Sequence, residues 1–142
     1  MADRAQGAAP VGTAVSGLQR GFTTAYRWVL TVFLLAGVVQ IFLAGFGVFG
    51  GGFGAHRGLG FTLGGITVVI VVLALLARVG TRDVILAVVL LLLANVAQSL
   101  LADLGGDAAF WGGLHAADGL AILGLAGFLQ GAAIRRSRAL AR

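Results

Sequence analysis

Long apolar stretches alternate along the chain with short polar or glycine-rich interruptions. A hydrocarbon core about 30 Å thick needs roughly 20 apolar helical residues, each rising about 1.5 Å. The chain offers four such runs, predicted at Tyr26–Val48, Arg57–Ala77, Val84–Ala102 and Gly112–Ala133. The first is longer than the apolar core of a signal peptide and is followed by Gly rather than by a cleavage signature, so it is expected to stay as a span. Residues 1–25 carry no apolar stripe long enough for more than a short surface helix and are predicted to be loose. Residues 134–142 read as an Arg-rich tail. The connection around Arg78–Asp83 is short and contains Gly80, which makes its flanking spans antiparallel neighbours. The predicted fold is all-α: an integral-membrane, up-down four-helix bundle.

Composition supports this reading. Apolar residues make up 59% of the 142 and charged ones only 11%, against roughly a quarter charged in soluble domains. The absence of Cys excludes disulfides, thiolate metal sites, iron–sulfur clusters and covalent haem attachment. The net charge is +5, yet the Arg residues are spread between apolar runs rather than gathered on one polar face, so no nucleic-acid role is expected. They report orientation instead. Arg4, Arg20, Arg27, Arg78, Arg82, Arg135, Arg136, Arg138 and Arg142 fall on one side of the four spans, and Arg57 alone on the other, with Asp103, Asp107 and Asp118. Positive charge is retained on the cytoplasmic side, which places both termini there in a multi-pass protein of the plasma membrane.

The two hairpins resemble each other. Gln40 and Gln98 are each followed three residues later by Leu-Ala, then a Gly-containing outer loop, then His56 or His115, then Gly60 or Gly119 four residues on. The Gln-to-His separations are 16 and 17 residues. Two hairpins related by an approximate twofold axis along the membrane normal follow from this pseudo-repeat. Both His then open inward-running helices at similar depth and can meet across the bundle axis. Ionisable groups at a membrane boundary usually face the bundle interior. The plainer reading has each His bonding a loop carbonyl or interfacial water.

Zinc normally takes four ligands, and here only Asp103, Asp107 and Asp118 are available to complete a shell around the two His. A porphyrin iron needs two axial ligands on opposite sides of a flat ring, which facing helices supply. Around such a ring, Gly58, Gly60, Gly64, Ala116 and Gly119 would give clearance, although small residues also serve ordinary helix packing. Arg57, beside His56, suits a propionate, or a lipid headgroup. Asp118, one turn after His115, can orient a ligand, pair with Arg57 or carry a proton. Gln40 and Gln98, with Asn95 one turn before Gln98, either line the cavity or bond between helices.

The His56-Arg57 pair, Gln98 and the Leu114-His115 pair resemble one four-helix half of the haem A synthases, and also small uncharacterised four-span bacterial membrane proteins with the same layout. The resemblance covers about residues 26–133 and implies a bacterial membrane and haem ligation by His56 and His115. That family's catalytic half has a Glu three residues before the His-Arg pair, where this chain has Phe53, and the chain contains no Glu at all. The resemblance therefore does not extend to oxidation of the haem methyl group.

Together these residues lead to the expectation of a small cytochrome-like protein that binds haem b by bis-His ligation and transfers electrons or carries haem. The site residues expected are His56 and His115 as iron ligands, with Arg57, Gly60, Gly119, Gln40, Gln98 and Asp118 around the cofactor. Its partners would be the lipid bilayer, quinol or a redox partner subunit, and a second copy of the chain through Gly127–Gly131 or the Gly64-Gly65 pair. The alternative is an accessory or assembly subunit without cofactor. No nucleophile–base pair or phosphate loop points to an enzyme, and the glycines from Gly45 to Gly54 leave a membrane helix rather than a strand.

Overall fold

The computed structural model describes residues 17–106 and 108–140. These form four helices, Gly17–Phe46, Gly54–Leu76, Thr81–Gly105 and Ala109–Leu140, with no strand among the described residues. All four are long and apolar enough to cross a membrane. Each packs on its neighbour in sequence, and the fourth returns to the first, so the up-down bundle closes as a ring. The second and fourth helices therefore face each other across the axis.

Two helices extend beyond the apolar runs. The first begins at Gly17 rather than Tyr26, so residues 17–25 are helical and not loose. Burial explains this: Thr23 and Tyr26 point into the bundle, and the Thr23 hydroxyl donates to the Gln19 carbonyl at 2.9 Å instead of competing for a partner outside the helix. The rest of the segment expected to be loose lies outside the described residues. The fourth helix runs on through the Arg-rich tail to Leu140. Here the guanidinium of Arg136 donates to the Arg78 carbonyl at 2.8 Å and to that of Val79, tying the tail to the turn between the second and third helices.

That turn is a helix stop built without glycine at its left-handed position. Arg78 has φ 51°, while the Val79 and Arg78 amides bond back to Ala74 and Leu75, which satisfies the last carbonyls of the second helix. The outer turn of the first hairpin, by contrast, relies on glycine: Gly50 and Gly52 have φ of 99° and 76°, a region costly for any side chain with a Cβ.

The core is confined to one half of the bundle. Tyr26, Leu30 and Phe33 of the first helix meet Leu63, Ile70 and Ala74 of the second, Ala87 and Leu90 of the third, and Ile122, Ala126 and Leu129 of the fourth. Most of these lie toward the end that carries Gly17 and Leu140, with Leu63 just on the outer side of the middle of its helix. Between Gly37 and Leu63 the only buried residue is Gly47, and between Leu90 and Ile122 no described residue is buried. Large apolar side chains turned outward, among them Leu35, Phe42, Val72, Leu100 and Leu120, supply the surface that meets lipid.

Polar side chains within the spans are used as interhelical ties. The Asn95 amide donates to the Thr67 hydroxyl at 3.0 Å, and Gln130 donates to the Thr31 hydroxyl at 2.6 Å. Asn95 sits in a widened π-turn, Leu93–Ala97, that interrupts the regular third helix. Its side chain occupies the space that a Cβ on Gly64 would take, 2.6 Å from Asn95 Oδ1. Gly64 is thus buried against the third helix, which corrects the expectation of an exposed Gly64-Gly65 pair open to another subunit. Gly65 itself is exposed.

Candidate functional site

Near their outer ends, the second and fourth helices each bring a half-buried His toward the bundle axis. The imidazole rings of His56 and His115 lie 6.2 Å apart between centroids, inclined at 65°. No hydrogen bond joins them among the described residues. This is the juxtaposition expected from the pseudo-repeat, and it falls in the half of the bundle that lacks buried side chains.

Each His is clasped by the Gln of its own hairpin. His56 Nδ1 lies 3.2 Å from the Gln40 carbonyl, and His115 Nδ1 lies 3.1 Å from the Gln98 carbonyl. Since a carbonyl only accepts, Nδ1 carries the proton in both rings and Nε2 keeps its lone pair. In return, each Gln side chain donates from Nε2 to the backbone carbonyl of its His, at 2.9 Å in both hairpins. These carbonyls belong to the first turn of the second helix and the second turn of the fourth, so the clasp joins one helix of a hairpin to the other. Gln40 and Gln98 therefore bond within their hairpins rather than between them.

Beyond the clasp, the two halves diverge. The second proton on Gln98 Nε2 goes to Asp118 Oδ2 at 2.9 Å, while Gln40 Nε2 has only His56 Nε2 at 3.5 Å, the outer limit of a hydrogen bond. The pseudo-repeat puts Leu59 where Asp118 stands. It also pairs Phe53 with Gly112: Phe53 packs its ring edge-on to His56 at 6.0 Å, and a Cβ on Gly47 would come within 2.6 Å of that ring. Phe53 thus forms an aromatic wall beside the imidazole.

The remaining site residues expected from sequence are placed as follows. Gly60 lies against the Gln40 amide, 3.1 Å from where its Cβ would be, and Gly119 has Gln98 at 3.7 Å, so both leave room for the clasp. Gly58 has nothing within 4 Å of a Cβ. Arg57 is exposed at the same end, and its backbone amide bonds to Phe53. It is not ion-paired to Asp118; the ion pair among the described residues joins Arg82 to Asp83 at 3.4 Å. Asp107 lies outside the described residues. No three His or Asp side chains gather into a metal site among the described residues, so two imidazoles are the available donors. Sequence reasoning singled out these side chains but missed that the Gln main chain holds the imidazole, because every residue has a carbonyl and composition cannot mark the one that is used.

Fold and site define an all-helical protein with four helices long and apolar enough to cross a membrane and a clasped His pair at one end of the bundle. The segment 40–105 is similar to a family of unknown function, DUF6220. This matched segment runs from Gln40 to the end of the third helix and includes His56, Arg57 and Gln98, while His115 lies beyond it. Comparison with curated proteins and with solved structures gives no match.

Proposed function

We propose that the protein binds haem b between His56 and His115 and works as a small cytochrome-like electron-transfer or haem-carrying protein of the bacterial plasma membrane. The observation that carries this reading is the pair of facing imidazoles, each with Nδ1–H spent on a main-chain carbonyl. A metal-ligating His typically donates its other ring N–H to such an acceptor, which sets the tautomer and the ring orientation. Two metal–nitrogen bonds of about 2 Å, each extended by roughly 1 Å from nitrogen to ring centre, separate two axial imidazoles by about 6 Å; the centroids here are 6.2 Å apart. The outer end, where no described side chain is buried, supports the same reading, because a macrocycle there displaces no packed core.

Haem bound there would be held by His56 and His115 and would supply a one-electron couple. Gln40 and Gln98 keep the rings in register, Phe53 walls one side, and exposed Arg57 is available to a propionate. The haem A synthase likeness rests on the quoted motifs alone and adds the expectation of ligation by these two His. By the distribution of Arg, both termini are cytoplasmic and the His pair lies in the outer leaflet. Quinol or a partner subunit would deliver the electron, and a second copy of the chain remains a candidate partner.

The test is an absorption spectrum of detergent-purified protein from haem-sufficient cells. A Soret band with sharpened bands on reduction is expected, and replacing both His56 and His115 by Ala should abolish it. Folded, colourless protein that takes up no added haem overturns the reading. One observation favours a second reading: each Gln ties the two helices of its hairpin through two hydrogen bonds that need no metal, as a packing device in an accessory subunit would. That reading expects colourless protein with co-purifying membrane partners.

A further inference from the structure

The first and second helices border a shallow, open groove of about 270 Å³, lined by Trp28, Val29, Val32, Ile66 and Val69. Its walls offer only apolar side chains and the Trp28 indole, so ordered water has too few partners to fill it. At its mouth stands a cation: the Arg27 guanidinium lies over the Trp28 ring, 5.5 Å from the centroid. Arg27 has no carboxylate partner among the described residues, where the ion pair is Arg82–Asp83. Trp28 is itself 56% exposed and sits at the Arg-rich end of the bundle, where indoles and guanidinium groups meet lipid headgroups.

We infer that this groove is a binding site for one anionic phospholipid, with its phosphate on Arg27 and an acyl chain along Trp28, Val32 and Val69. Charge decides the occupant. A zwitterionic lipid brings its own cation to the mouth, whereas an anionic one neutralises an Arg that the protein leaves unpaired. The cation–π contact holds the guanidinium over the ring of Trp28, which itself lines the groove, so a headgroup on Arg27 lies next to the chain subsite.

The chain has two Trp, so Trp111→Phe leaves Trp28 as its own reporter. In vesicles, acyl-brominated phosphatidylglycerol should quench Trp28 with about fivefold preference over acyl-brominated phosphatidylcholine, the worth of one Arg near an anionic headgroup. Arg27→Gln should erase that preference, and Val32→Phe, which fills the groove, should reduce quenching by both lipids. Arg20→Gln should leave the preference in place. Equal quenching by the two lipids, or equal losses from Arg20→Gln and Arg27→Gln as general surface charge requires, overturns the site. If Trp111→Phe fails to fold, native mass spectrometry of the unaltered chain reads the same contrast: one retained phosphatidylglycerol supports the site, and no retention above phosphatidylcholine overturns it.

Discussion

The two ends of this bundle are built from the same helices yet packed in different ways. Toward the chain termini, Leu30, Ile70, Leu90 and Leu129 are fully buried and interlock from all four helices. Toward the outer loops no described side chain is buried, and polar contacts between His, Gln and Asp take the place of apolar interlock. Lipid is as apolar as Leu, so helix association within it depends on close packing and interhelical hydrogen bonds rather than on expulsion of water. One end uses mainly the first of these and the other mainly the second. The packed end therefore holds the helices together by side-chain interlock, while the other is tied by the polar contacts around the His pair.

Substitutions can break or sharpen this contrast, with stability followed by denaturing-detergent titration in mixed micelles. The largest effect is expected from Leu129→Ala at the packed end, a loss of about 2–5 kcal/mol as contacts go and a cavity is left. A loss below 1 kcal/mol there would remove the distinction between the ends. Gly64→Ala, at the boundary between them, should cost about 1–3 kcal/mol, because the new methyl meets the Asn95 amide. Asn95→Ala in the same chain should recover part of that loss.

Smaller changes are expected in the open half. Gln40→Leu and Gln98→Leu should each cost about 1 kcal/mol, in line with single interhelical hydrogen bonds in membranes. Gln98→Leu should be the more damaging, since it also strips the donor from Asp118, and Asp118→Leu should close that gap by making the two hairpins alike. Smallest of all, Leu101→Ala, in the open half, should change stability by no more than about 0.5 kcal/mol. Hydrogen exchange gives an independent comparison: amides around Leu129 should be more protected than those around Leu101, and adding haem should raise protection at the His end alone if the proposed ligation holds.

The span count and the up-down order were legible in the sequence because a bilayer imposes a minimum length on each apolar run and a short loop imposes antiparallel neighbours. The pairing of His56 with His115 was legible too, through a repeat whose spacing differs by one residue between halves. Other features were hidden. The helical character of residues 17–25 depends on burial of Thr23 and Tyr26, which a chain read one residue at a time does not reveal. Gly64 looked like an open surface because nothing in its own segment shows that Asn95, 31 positions along, would fill the space beside it. The capping of the Arg78–Val79 turn by Arg136 likewise joins residues more than fifty positions apart.

By itself, the sequence determined that this chain crosses a membrane four times, gathers Arg at one end, and carries a Gln and a His at matching places in each hairpin. Those properties follow from the cost of leaving polar backbone or charge in hydrocarbon, which acts on each segment separately. Only the tertiary structure decided that each imidazole is bonded to a particular main-chain carbonyl, that Asn95 fills the space beside Gly64, and that the packed core stops short of the His pair. These depend on the ring order of the helices and on which small residues let them approach, relations between distant segments that no single segment encodes.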